Sequence, residues 1–201
     1  MRGEAERDRL DRELMSRVRG GDVEAFEQLY RRYARPLMNF FFRMCYDRIA
    51  AEDHLQETFL RVWRARTSYR PAGRVSSWLF RIARNFWLNE RAKRRLRPFH
   101  GRGALLGERA EAATEATVDP RPETRPDAVA QAAETEAALA RAVSELSDTR
   151  RLVFVLCRHQ GLSYGRVAEV LEIPVGTVKS RMARAEKTLR RKLHRHLGGE
   201  P

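Results

Sequence analysis

The chain holds two cysteines, Cys45 and Cys157, and neither has a cysteine or histidine at metal-ligand spacing. A metal centre is therefore not expected, and no cofactor motif takes its place. Both thiols read as small buried apolar residues in a reducing cytosol. Long apolar runs are missing as well. The N-terminus is charged, without the apolar core of a signal peptide, and no segment approaches the length of a membrane span. No membrane insertion and a cytoplasmic location are expected. Strand signals are lacking too, with no alternating apolar pattern and no Asn-Gly or Asp-Gly turn, so the class is all-α. Finally, no serine, tyrosine or carboxylate cluster is arranged as a nucleophile beside a base. An enzyme is not expected, and neither is a small-molecule substrate.

Positive charge is abundant and unevenly spread. Of 201 residues, 40 are Lys or Arg and 27 Asp or Glu, for a net +13. Residues 1–97 carry +10, residues 98–136 carry −4 and residues 137–201 carry +7. Two basic blocks flank an acidic one, and a basic block is the footprint of a polyanion partner. Arginine heavily outnumbers lysine. That suits bidentate contacts to phosphates and bases, and a GC-rich genome would produce it equally.

In the last block, residues 162–184 read LSYGRVAEVLEIPVGTVKSRMAR. Ser163 can cap a helix by accepting a free N–H of its opening turn. Val167, Val170 and Leu171 give that helix an apolar face, and Ala168 is small where a second helix must cross. Pro174 disfavours helical geometry in the residue before it, which ends the first helix at Glu172-Ile173-Pro174. Val178 then returns an apolar contact. The spacing fits a helix-turn-helix, whose second helix enters the DNA major groove. That helix carries Thr177, Lys179, Ser180, Arg181, Arg184 and Lys187, able to reach bases and phosphates. A helical hairpin with a solvated basic face would share parts of this pattern, but not all of it.

The first block, about residues 10–97, reads as four helices. A short opening helix breaks at Gly20-Gly21, and Asp22 can cap the next. The second helix carries Phe26, Leu29, Tyr30, Tyr33, Leu37, Phe40 and Phe41 at threes and fours, and Pro36 inside it predicts a kink or break. A third helix over about 51–66 turns Leu55, Phe59, Val62 and Trp63 inward. A fourth over about 75–95 buries Val75, Trp78, Leu79, Ile82 and Phe86. Its other face carries Arg81, Arg84, Arg91 and Arg95, thickened by Lys93, Arg94 and Arg97, with Asn85, Asn89 and Trp87 among them. Basic residues interleaved with amides and an aromatic suit a nucleic-acid backbone and unstacked bases, although Trp87 by itself fits a core position as well. The Asp53, Gln56, Glu57 and Arg61 face of the third helix reads from spacing alone as solvated.

Residues 98–136 hold one aromatic, Phe99, with Pro120, Pro122 and Pro126 and many alanines and acids. Such a stretch cannot bury enough apolar surface to offset its ordering entropy. It reads as a flexible linker with a transient helix around Glu108 to Ala116. The last block, 137–197, opens near Glu136 with a helix bearing Leu139, Val143 and Leu146, followed by one bearing Leu152, Val153 and Leu156.

Taken in order, GDVEAFEQLYRRY, AEDHLQETFLRVWRA, SYRPAGRVSSWLFRIARNFWLNERAKRR and LSDTRRLVFVLCRHQGLSYGRVAEVLEIPVGTVKSRMARAEKTLRRKL resemble the extracytoplasmic-function (ECF) group of sigma-70 family RNA polymerase sigma factors. The resemblance covers both basic blocks. It implies two small helical domains, of sigma-2 type and of sigma-4 type with a helix-turn-helix, joined by the acidic linker. It also implies that Asp53, Gln56, Glu57 and Arg61 meet the clamp helices of core RNA polymerase, which replaces the solvated reading of that face. Ser68, Tyr69 and Arg70, with Pro71 and Asn85, would form the pocket for a base flipped from the −10 element. Arg81, Arg84, Arg91, Arg94 and Arg95 would hold the strand. Lys179, Ser180, Ala183 and Arg184 would read the −35 element near the polymerase flap, with Arg181 and Lys187 on phosphates or packed. The linker would thread the polymerase cleft, where its charge either mimics RNA or merely spaces the domains. Two departures stand out. Ala183 is small where relatives often carry more, and Glu172 sits where many helix-turn-helix proteins place glycine. No sensor domain follows the last block, so an anti-sigma factor is expected to regulate from outside. An effector-gated regulator would instead need a ligand pocket or dimer surface where the arginine stripe lies.

Overall fold

Asp22 starts the main helix of the N-terminal unit, its carboxylate accepting the Ala25 N–H at 2.9 Å. In this computed structural model residues 2–70, 73–96 and 126–196 are described, with side chains over 5–70, 73–94 and 134–194. The helices are α1 (Arg2–Arg19), α2 (Val23–Cys45), α3 (Arg48–Arg64), α4 (Val75–Leu96), α5 (Pro126–Ser144), α6 (Asp148–Phe154), α7 (Tyr164–Leu171) and α8 (Val175–His196). No strand occurs among the described residues, and none of their helices is long and apolar enough to cross a membrane.

α2 runs through Pro36 without the break that was one of the two outcomes expected there. It ends at Tyr46, whose φ of 50° is left-handed, and Asp47 caps α3 by accepting the Ala50 N–H at 3.2 Å. This two-residue connection folds α3 back onto α2. Leu29, Leu37, Phe40 and Phe41 of α2, Val62 of α3 and Leu79 of α4 have no exposed surface. Each such side chain contributes about 1.5–3 kcal/mol relative to exposure. Phe40 meets Phe80 edge-on at 5.7 Å, and the His54 ring lies between Phe41 and Phe86 at 5.4 and 5.1 Å. α1 is longer than the short helix expected. It is pinned by Asp11, whose buried carboxylate accepts from Arg32 Nε at 2.7 Å and from the Tyr33 hydroxyl.

The C-terminal unit is built from α5 to α8 around Val143, Leu146, Val153, Val155, Leu156, Val167, Val170, Val178, Met182 and Leu189. α5 begins at Pro126, well ahead of the expected start near Glu136, because a proline has no N–H to lose in a first turn. Residues 97–125, including the expected transient helix at 108–116, lie outside the described residues. α6 continues as a π-helical turn, Val155–His159, packed against α2.

One buried arginine joins the two units. Arg151 donates from Nε to Val143 O at 3.1 Å, from Nη1 to Met44 O at 2.9 Å, and from Nη2 to Leu146 O at 3.2 Å and to Ser144 O. Met44 O and Ser144 O lie in the last turns of α2 and α5, where carbonyls lack partners within the helix, and Val143 O also accepts the Leu146 N–H at 3.1 Å. Burial lowers the Arg151 pKa from its usual range. At the edge of the same joint Arg43 pairs with Glu136. Both thiols are half-buried, and Cys45 Sγ donates to Phe41 O at 3.0 Å.

Candidate nucleic-acid and polymerase interfaces

The helix-turn-helix is assembled as its sequence suggests. Ser163 Oγ accepts the Arg166 N–H at 3.3 Å and starts α7. Glu172 then turns left-handed at φ 54°, ψ 44°, and the Ile173 N–H returns to Ala168 O at 3.2 Å. Pro174 O accepts the Thr177 N–H at 2.9 Å and opens α8. Val178, Met182, Ala185 and Leu189 anchor α8 inward. Its opposite face leaves Lys179, Ser180, Ala183, Arg184 and Lys187 exposed, with Thr177 and Arg181 half-buried at the margin. Ser180 Oγ donates to Thr177 O at 3.1 Å, which settles its rotamer.

On α4 the arginine stripe exists, but it faces the C-terminal unit. Arg81 Nη1 lies 3.3 Å from Glu172 Oε1, and Arg84 Nη1 lies 3.3 Å from Glu172 Oε2. Arg84 also donates to Val170 O at 3.1 Å. Ser77 Oγ donates to Glu169 at 3.0 Å, and Arg91 Nε is 3.5 Å from Asp148. Arg166 of α7 reaches back to Ser76 Oγ at 3.0 Å and to Asp8 of α1 at 3.4 Å. Arg94 is exposed, and the Arg95 side chain lies outside the described residues. Trp87 does not belong to the stripe. It is 4% exposed and packs into the core.

The loop before α4 is a closed structure. A 3₁₀ turn, Arg66–Ser68, is held by Ser68 Oγ donating to Ala65 O at 2.7 Å. Tyr69 is buried, its hydroxyl donating to Gly73 O at 2.6 Å and its ring edge-on to Trp78 at 5.5 Å. Burial raises the Tyr69 pKa. Arg70 and Asn85 are exposed, and Pro71 lies outside the described residues. Trp78, read from sequence as core, is half-buried and stands one face up from Asn85, two turns along α4.

On α3, Asp53 and Gln56 are exposed, whereas Glu57 and Arg61 are half-buried and bonded to one another at 2.8 Å. Arg61 also lies over the Phe86 ring at 4.7 Å. Sequence reasoning missed Ile49 and Leu60, which are 70% and 51% exposed. With Asp53 and Gln56 they form one stripe at helical spacing. The available signal was two large apolar residues standing off the core face. Burial lowers the His54 pKa from the usual 6.5, and the Arg94 charge adds to it. Burial and Arg43 do the same to His159, whose Nε2 has no hydrogen-bond partner. Among the described residues no group of three or more acids, histidines or cysteines could hold a metal.

Comparison with known proteins agrees with this geometry. The family model Sigma-70 region 2 matches residues 29–97, and Sigma-70, region 4 matches residues 136–189. The chain is 31% identical to the RNA polymerase sigma-H factor of Pseudomonas aeruginosa, across 89% of this chain and 91% of that protein. It is also 31% identical to the ECF RNA polymerase sigma-E factor of Haemophilus influenzae, across 91% and 95%. Among solved structures it resembles CnrH in complex with the cytosolic domain of CnrY, with TM-score 0.65 and 26% identity over 92% of this chain and 97% of that one. The sigma factor RpoE in complex with the anti-sigma factor NepR from Bartonella quintana shares the fold, with TM-score 0.60 and 23% identity over 84% and 96%.

Proposed function

The chain belongs to the ECF group of sigma-70 family RNA polymerase sigma factors, and from that premise we propose how its surfaces divide the work. As a sigma factor it directs RNA polymerase to promoters, so core polymerase and promoter DNA are its partners. The polymerase carries out the catalysis, in the cytoplasm.

Residues 137–197 read the −35 element. The observation that carries this reading is the outward face of α8, where Lys179, Ser180, Ala183, Arg184 and Lys187 stand together on a helix fixed by buried Val178, Met182 and Ala185. A rigid helix with three cations and a hydroxyl fits a major groove, with Lys and Arg on phosphates or guanine edges. Ala183 offers only a methyl, which suits contact with thymine. Thr177 and Arg181 flank the face and serve the backbone.

Residues 10–97 engage core polymerase and the melted −10 strand. Asp53 and Gln56, framed by Ile49 and Leu60, supply the exposed polar and apolar contacts for the clamp helices. Glu57 and Arg61 hold the edge of that face in shape. Arg81, Arg84, Arg91, Arg94 and Arg95 follow the backbone of the opened strand, and Arg70 and Asn85 approach the base. Ser68 and Tyr69 brace the loop that presents them. Extruding one base costs a few kcal/mol, about that of other flipped bases, and its capture holds the strand open. The sigma factor RpoE of Bartonella quintana, which shares the fold, was solved in complex with the anti-sigma factor NepR. That supports an anti-sigma partner for this chain.

Transcription with purified core polymerase on templates randomised at −35 and −10 tests the whole reading. Defined transcripts are expected only when the protein is present. No new transcripts, with the protein alone shifting a specific duplex, would favour an effector-gated regulator.

A further inference from the structure

Three acidic side chains of the C-terminal unit lie along the α4 stripe, in register with the side chains read as DNA-binding. Glu169 meets Ser77, Glu172 meets Arg81 and Arg84, and Asp148 meets Arg91. Positions 77, 81, 84 and 91 recur at helical spacing along one face of α4. Glu172 gives one carboxylate oxygen to each of two guanidiniums, at 3.3 Å each. A backbone phosphate would present its two free oxygens to an arginine pair in the same way.

The backbone gives a second, independent sign. Glu172 is one of two non-glycine residues with positive φ among those described, at 54°. This turn position favours glycine, so a large side chain there is held against its preference. The turn itself needs only the Glu172 and Ile173 N–H groups, both of which return to Ala168 O. The carboxylate contributes nothing to the helix-turn-helix. Among the described residues its partners are Arg81 and Arg84 of the other unit.

We propose that Glu172, with Glu169 and Asp148, is an internal phosphate surrogate that latches the C-terminal unit onto the α4 stripe and keeps that stripe of the free chain closed to single-stranded DNA. The latch rests on the reading of that stripe as the −10 strand site. These partly exposed ion pairs are individually weak, so the latch adds to the Arg151 joint and yields to a denser polyanion. Closure reduces apparent DNA affinity by the fraction of chains that are open. Screening by salt weakens the latch.

The test uses the full chain and the E169Q/E172Q variant. E145Q/E186Q serves as the control, because it removes the same charge from ion pairs with Lys192 and Arg158 inside the C-terminal unit. Small-angle scattering reads domain separation, and a fluorescein-labelled mixed-sequence 20-mer of single-stranded DNA reads the stripe. E169Q/E172Q is expected to expand and to bind the 20-mer roughly tenfold more tightly than the control, in line with a few weak pairs acting together. If E169Q/E172Q stays as compact as the control, the latch is overturned. If it expands without binding DNA more tightly, the DNA reading of the stripe is overturned, while the contact between the units stands.

Discussion

Two basic helix faces, on α4 and on α8, look alike in sequence and differ in the folded chain. On α8 none of Lys179, Arg184 and Lys187 is paired with a carboxylate of the described residues, and all three are exposed. On α4, Arg81, Arg84 and Arg91 each meet an acid of the other unit. The difference is one of topology. α8 points its polar side away from its own unit's core, whereas α4 turns its polar side toward α7. Composition registers a basic face in both cases. Only the fold shows which of the two is already engaged.

The comparison can be broken most severely at the joint. Arg151→Met should cost about 3–5 kcal/mol, because it removes the guanidinium that four carbonyls at the joint accept from. Chemical denaturation should show a lower midpoint and separate transitions for the two units. An unchanged single transition would mean that the arginine is not what couples them.

A smaller effect sharpens the contrast between the two faces. Arg184→Ala should weaken binding of the full chain to −35 duplex by about 1–3 kcal/mol, as expected for a base-reading arginine. Arg84→Ala should leave duplex binding unaltered and reduce open-complex formation with core polymerase, as permanganate footprinting would show. Equal losses in both assays would erase the division between the faces.

Acid should distinguish the joint from the DNA faces. His54 and His159 have pKa values lowered from 6.5 in the folded chain. As pH falls below 6.5 the unfolded chain binds more protons than the folded one, so stability falls with pH and is recovered as pH rises. The melting temperature should be lower at pH 5.5 than at 7.5, and His159→Gln should reduce that gap. No change in the gap would exclude the joint from the response. The smallest effect belongs to Lys187→Gln, which should reduce the salt slope of −35 binding by about one contact, with sequence preference retained.

Much of the fold was legible because its signals are local. Asp22 and Ser163 announce their caps, and Val178 follows Ala168 at the spacing a crossing helix requires. What escaped depends on partners distant in the chain. Pro36 looked like a breaker, yet the packing of α2 on both sides keeps the helix continuous. Trp87 sat among arginines in sequence and among core residues in space. Tyr69 read as a reader of bases, and its hydroxyl closes the loop on Gly73. The Glu172 departure from glycine was visible in the sequence. Its meaning was not, because Arg81 and Arg84 lie on another domain.

The half-buried thiols described earlier carry a consequence for signalling. Burial pushes both Cys45 and Cys157 up to about 11. At pH 7 roughly one thiol in ten thousand is then a thiolate, the form that peroxide attacks. This chain is poorly tuned to hear an oxidant directly. Any alarm of that kind would have to reach it through another molecule.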